Sequence, residues 1–258
     1  MSSLKKYITE ETPIICTKPS YFFEALDDKN KTIYYKDFNI NEFLGQQLSK
    51  IRNLKTNEYF LMTLKNEYKI SKYKNIQCEY ISDIKVASYD FKKLENQYYY
   101  LKELKLGENK LTELLKLCPN EKNKKELINE ILELFALDTY MGQTDRFSYN
   151  IMFEVNHCGE IHLCPIYDYE YSMNDLYTQD SCIYPNALCT LDKIYEYKKL
   201  LEKYPQLYTM LNSYLDVNIQ KEIIECFNDQ KLSYEKVNFK AYSKFTEKRC
   251  KVIEKILK

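Results

Sequence analysis

From Thr12 to about Ser88 the apolar residues fall in short β-rich runs, at 13–16, 21–26, 32–35, 59–64, 68–73 and 84–87. Turn-like breaks such as Asp27-Asp28-Lys29-Asn30 and Lys65-Asn66-Glu67 separate them, which predicts a meander of hairpins. One helix interrupts the meander. Asn41 to Leu54 sets Phe43, Leu44, Leu48, Ile51 and Leu54 at helical spacing, with Asn39 or Asn41 as N-cap. After about Asp90 the period lengthens, predicting helices over Leu111–Leu117, Leu127–Met141, Ile194–Leu211, Ile219–Phe227 and Tyr242–Leu257. Set into this helical half is a hairpin, with strands at Asn150–Val155 and Ile161–Leu163 and the turn Asn156-His157-Cys158-Gly159. Pro119-Asn120 and Pro185-Asn186 read as loop punctuation. The order of elements predicts an α+β chain of two lobes: a small β-rich N-lobe with one helix over 1–89, and a larger, mainly helical C-lobe over 90–258. The hinge is expected near Tyr80 to Asp90, with a ligand between the lobes.

Composition narrows the partners. The 38 basic residues balance 38 acidic ones and no long basic run occurs, so no direct nucleic-acid binding is expected. Met1-Ser2-Ser3-Leu4-Lys5-Lys6 leads into no apolar segment, and no run is long enough to cross a bilayer, which predicts a cytoplasmic protein without membrane association. The 9 cysteines form no C-x-x-C pair and read as reduced thiols.

The candidate chemistry lies around the hairpin. Asp145 is the only aspartate with an asparagine, Asn150, five residues on, and Asp168 follows just past the second strand. A base Asp, a metal-binding Asn at that offset and a second metal-binding Asp are the spacing of a phosphoryl-transfer loop. Mg²⁺ takes oxygen ligands, usually one or two carboxylates or amides completed by phosphates and water. Asn150 and Asp168 suit those roles, and Asp145 suits proton uptake from an acceptor hydroxyl. In the first lobe, the strand ending at Lys36 and the helix carrying Glu42 in its first turn would supply a phosphate-binding lysine and its steadying glutamate, with Lys31 as the fallback. The only glycines are Gly45, Gly107, Gly142 and Gly159, so no glycine-rich phosphate loop exists, and a backbone cradle would have to form at Asp27 to Lys31. His157, Cys158, His162 and Cys164 crowd the hairpin, but their spacing matches no standard zinc pattern and strand alternation sends neighbours to opposite faces.

Leu137 through Asn150, followed by Cys164-Pro165-Ile166-Tyr167-Asp168, resembles the C-terminal catalytic segment of HipA-like serine/threonine kinases. That family typically shows Gly-Asn-x-Asp-Arg-His-x-x-Asn and then Pro-x-Tyr-Asp; phosphoinositide-kinase-like enzymes carry similar segments. The Asn41-Glu42 helix start is also similar to the family's. The resemblance implies a bilobal protein-kinase-like fold, catalytic Asp145, metal ligands Asn150 and Asp168, and nucleotide-binding Lys36 steadied by Glu42. It further implies ATP and Mg²⁺ as cofactors, Ser or Thr on a protein as acceptor, and a toxin partnered by an antitoxin protein. This chain would be a kinase-core-only member, without the family's separate small N-terminal domain. Gln143 stands where the family usually has Asn, Phe147 where it has His, and Tyr169-Glu170 where many kinases have Phe-Gly. Two rivals stay open: a catalytically inactive pseudokinase that binds a partner protein, and a small-molecule or lipid kinase with the same core.

Overall fold

The computed structural model describes residues 23–26, 31–37, 39–63, 84–169, 172–173, 187–188, 194–230 and 237–258. The runs predicted at 13–16 and 68–73, the Asp27–Asn30 part of the phosphate turn, Pro185-Asn186 and Glu170 lie outside those residues.

In the first half, β1 (Phe23–Leu26), β2 (Thr32–Asp37), β3 (Tyr59–Thr63) and β4 (Ile84–Tyr89) form an antiparallel sheet. Its order is β1-β2-β4-β3, so the expected meander is corrected: β4 inserts between β2 and β3. The reason is α1 (Ile40–Ile51), which follows β2 and carries the chain across the sheet, leaving β3 to enter at the far edge. The register pairs Lys36 with Val86 and Val86 with Leu61, so these three share one face. The Asn39 side chain caps α1 by accepting from the Asn41 N–H at 2.9 Å, and Glu42 occupies its first turn. β4 takes up the end of the span in which the hinge was expected.

After β4, β5 (Gln97–Tyr100), β6 (Met152–Val155) and β7 (Ile161–Leu163) make a second antiparallel sheet with β6 in the middle. β5 is a strand that hydrophobic patterning missed. Its sequence, Gln-Tyr-Tyr-Tyr, shows no apolar alternation, and its pairing with β6 supplies the order that its own pattern lacks. α2 (Lys110–Lys116) precedes α3 (Glu121–Met141), which begins earlier than its apolar period because Asn120, read as punctuation, is the N-cap and accepts from the Asn123 N–H at 2.8 Å. The single helix expected over 194–211 is two, α4 (Ile194–Lys203) and α5 (Gln206–Asn212), because Pro205 cannot continue α4 and instead opens α5. α6 (Ile219–Asp229) and α7 (Phe239–Leu257) complete the chain.

One apolar core runs through both halves, from Phe43, Leu44 and Leu48 of α1 to Leu132, Phe135 and Tyr140 of α3 and Phe245 and Ile253 of α7. α1 packs on α3 and α6 as well as on β3. The connector after α1 pairs with the segment before Asp168: Asn57 N–H donates to the Ile166 carbonyl at 3.0 Å, and Ile166 N–H to the Lys55 carbonyl at 2.9 Å. The helix bearing Glu42 and the loop bearing Asp168 are therefore joined by backbone bonds. Among the described residues no helix is long and apolar enough to cross a membrane.

Candidate active site

Lys36 on β2 and Glu42 on α1 form an ion pair, and the Lys36 Nζ also lies 2.8 Å from Asp168 Oδ1, contributed by the chain 132 residues later. Glu42 is fully buried, whereas the Asp168 side chain is 27% exposed. A buried carboxylate is tolerable only when paired and hydrogen-bonded. Glu42 meets that condition: Lys36 pairs with it, and its Oε2 accepts the Tyr169 N–H at 3.1 Å. Burial pulls the Lys36 ammonium pKa down, but the Glu42 and Asp168 carboxylates outweigh it and hold the pKa above the usual lysine value. Lys31, the fallback, is exposed at the start of β2, its Nζ 5.8 Å from the Tyr89 ring centroid.

α3 delivers the second group. The helix ends at Gly142, which takes the left-handed conformation (φ 59°), and its N–H returns to the Asp138 carbonyl. Glycine adopts that conformation without a Cβ penalty, so the turn into residues 143–150 is local chemistry. Asn150 Nδ2 donates to the Asp145 carbonyl at 2.7 Å and to Asp145 Oδ2 at 3.0 Å. With its donors engaged there, the amide's acceptor is the Oδ1. Asn150 and Ile151 precede β6, so Asn150 belongs to the loop that the hairpin terminates.

Two residues that sequence reasoning did not assign hold these groups together. Gln143, 1% exposed, donates from Nε2 to the Asp168 carbonyl at 2.7 Å and accepts the Asp145 N–H on Oε1 at 3.1 Å. This departure from the family pattern bridges the two acid-bearing segments. Arg146, also 1% exposed, pairs with Asp138 at 3.1 Å and donates from Nη1 to the carbonyls of Asn150 (3.3 Å) and Tyr167 (2.8 Å). Burial opposes its charge, yet Asp138 holds its pKa above the ordinary arginine value. The available signal was Asp138, an acid on the largely apolar end of α3, eight residues before an arginine.

Asp168 itself has φ 62°, a conformation uncommon for residues with a side chain but one that Asp tolerates better than most. Its N–H donates to the Tyr59 hydroxyl at 3.1 Å. Tyr169, fully buried, occupies the place where many kinases have Phe. Its hydroxyl bonds Ser49 (2.9 Å) and Thr56 (3.2 Å), its ring lies on Gly45, and the Arg146 guanidinium sits 5.7 Å from the ring centroid. Phe147 and Tyr149 are exposed beside Asp145, their rings 5.9 Å apart. The five predicted residues thus form two linked sets, Lys36–Glu42–Asp168 and Asp145–Asn150, with Gln143 between them.

Comparison by sequence finds no matching family model and no matching curated protein. Comparison by structure finds HipA of the Shewanella oneidensis MR-1 toxin–antitoxin system, solved with HipB and operator DNA, at TM-score 0.55 and 13% identity over 97% of this chain. The chain covers 65% of the length of that HipA. The Golgi casein kinase matches at TM-score 0.58 and 13% identity over 98% of this chain and 74% of its own, and its Mn/ADP-bound form matches at TM-score 0.58 and 12% identity over the same shares. The chain has the bilobal α+β fold of these kinases, a HipA-like kinase fold.

Proposed function

We propose that this chain is an ATP- and Mg²⁺-dependent kinase of the HipA-like type that phosphorylates Ser or Thr on a protein. The observation that carries the reading is Lys36 lying between Glu42 of α1 and Asp168 of the far loop, because a lysine so held is the phosphate-binding device of kinases. The lobes divide at 89/90, and the nucleotide lies between them, its phosphates on Lys36.

The donor set fits a hard divalent cation. Asp168 offers a partly exposed carboxylate, Asn150 an amide oxygen, and among the described residues no group of three or more His, Cys, Asp or Glu offers a rival site. Asp168 and Asn150 would hold Mg²⁺, which supplies charge neutralisation on the phosphates when bound. That a kinase neighbour was crystallised with Mn/ADP supports the use of a nucleotide and a divalent metal. Asp145 orients the acceptor hydroxyl and takes its proton as the new P–O bond forms and the bond to the ADP leaving oxygen breaks. The Asn150 amide fixes the Asp145 carboxylate for that task.

The HipA neighbour, solved with HipB, supports a toxin role with an antitoxin protein as partner. The deciding experiment incubates the purified chain with radiolabelled ATP, Mg²⁺ and a cell lysate, beside Asp145→Ala and Asp168→Ala. Label on Ser or Thr of protein that vanishes in both variants is expected. Nucleotide binding without transfer would replace this reading with a partner-binding pseudokinase, and label confined to lipid or small molecules would replace the acceptor class.

A further inference from the structure

We propose that Tyr242, on the last helix of the chain, is a remote positioning residue for the nucleotide-binding ion pair and acts through Asn41. This rests on the kinase reading above, since it concerns how Glu42 and Lys36 are held. Asn41 directly precedes Glu42 in the first turn of α1 and is 9% exposed. Its Nδ2 donates to the Ser172 carbonyl at 2.6 Å, and its Oδ1 lies 3.1 Å from the Tyr242 hydroxyl. The Ser172 carbonyl can only accept, so it fixes which end of the amide faces it; Oδ1 then faces Tyr242, whose hydroxyl must donate.

Both partners are anchored. Ser172 N–H bonds the Tyr169 carbonyl at 2.9 Å, and Met173 N–H bonds the Met141 carbonyl at the end of α3 at 2.7 Å. α7 is tied to α3 by Arg249, which donates from Nε to the Thr139 carbonyl at 2.7 Å. Asn41 is therefore clamped between two fixed points of the C-lobe. Neighbouring residues on a helix point about 100° apart, so fixing Asn41 fixes the direction in which Glu42 enters the interior. α1 is held again in its middle, where Gln47 Nε2 donates to Glu222 at 3.2 Å and the Cys226 thiol lies 3.6 Å from the Phe43 carbonyl. The helix that sets Lys36 is thus docked on α6 and α7 rather than carried by the sheet alone.

Tyr242→Phe removes one oxygen and keeps the ring. The expected result is a KM for ATP–Mg²⁺ raised about five-fold, the worth of one hydrogen bond, with kcat moved less. In a Glu42→Gln background the same substitution should have no further effect, because the path runs through Glu42. Asn41→Asp, which keeps the acceptor for Tyr242 and loses the donor to Ser172, should act likewise and guards against a folding defect in either variant. A second readout needs no nucleotide: hydrogen exchange at the Tyr169 N–H, which Glu42 accepts, should speed up in Tyr242→Phe. Wild-type protein without Mg²⁺-dependent ATP binding would sink the kinase reading while leaving the exchange result to judge the clamp. Unchanged exchange, or a five-fold KM effect that persists in Glu42→Gln, would overturn the clamp.

Discussion

Alanine at position 45 tests the contact between α1 and the loop after Asp168. In a helix interior Gly→Ala ordinarily stabilises by about 0.8–1.0 kcal/mol. Here a Cβ at Gly45 would meet Tyr169 Cγ at 2.2 Å, Cδ1 at 2.4 Å and Cδ2 at 2.6 Å, against 3.4 Å for ordinary contact. The ring must withdraw by about 1.2 Å, and it has nowhere free to go, since Ser49 and Thr56 hold its hydroxyl and Glu42 holds its N–H. Overpacking of this kind costs about 1–3 kcal/mol, and the two stretched hydroxyl bonds about 1 kcal/mol each. Set against the helix gain, the net loss is about 3 kcal/mol, or a Tm lower by roughly 6–12 °C for a chain of this size. Urea denaturation and ATP–Mg²⁺ titration of Gly45→Ala should show lost stability and weakened nucleotide affinity together, because Tyr169 follows Asp168 directly. In a Tyr169→Ala background the ring is gone, and Gly45→Ala should revert to stabilising. Wild-type stability in the single variant, or the same loss in both backgrounds, would refute the contact.

Lys36→Met should abolish phosphoryl transfer and cost about 3–5 kcal/mol in urea denaturation, because it strands a buried Glu42 charge; pairing it with Glu42→Gln should restore most of the stability and none of the activity. Alkaline pH should unfold the protein between about pH 10 and pH 12. Burial pushes Tyr169 and Tyr242 up to about 12, so the folded state keeps protons that the unfolded state releases near pH 10, and stability falls with rising pH across that window. Denaturation midpoints taken stepwise from pH 8 upward, with tyrosinate absorbance as the second probe, check this; a flat profile to pH 12 would contradict it.

The elements that hydrophobic period and caps specify were legible in the chain. α1 matches its apolar stripe and its Asn39 cap, and β6 and β7 flank the turn expected at Asn156 to Gly159. Asp145, Asn150, Asp168, Lys36 and Glu42 also stood out by residue type and offset, and the fold brings Lys36 to Glu42 and Asp168, and Asn150 to Asp145. What could not be seen was set by distant partners. β5 owes its conformation to β6, and the Gln143 bridge depends on two backbone groups, one of them 25 residues away, which leave no mark in the side-chain pattern. Nothing in the pattern around Gly45 marks the Tyr169 ring that lies on it.

Arg146 carries one last consequence. Its guanidinium draws its hydrogen-bond acceptors from three separate places: Asp138 on a helix, Asn150 on its own loop and Tyr167 on the far side of the hairpin. Remove any one supplier and a cation is left in an apolar interior with donors unmet, so intermediate arrangements lie well above both the complete and the fully opened ones. Lysine, a compact point charge, cannot grip the Asp138 carboxylate with two nitrogens and reach two carbonyls with the third, as the planar fork of Arg146 does. The candidate site is consequently built to open as a unit, because loss of Asp138 at the α3 end leaves the buried Arg146 charge unpaired.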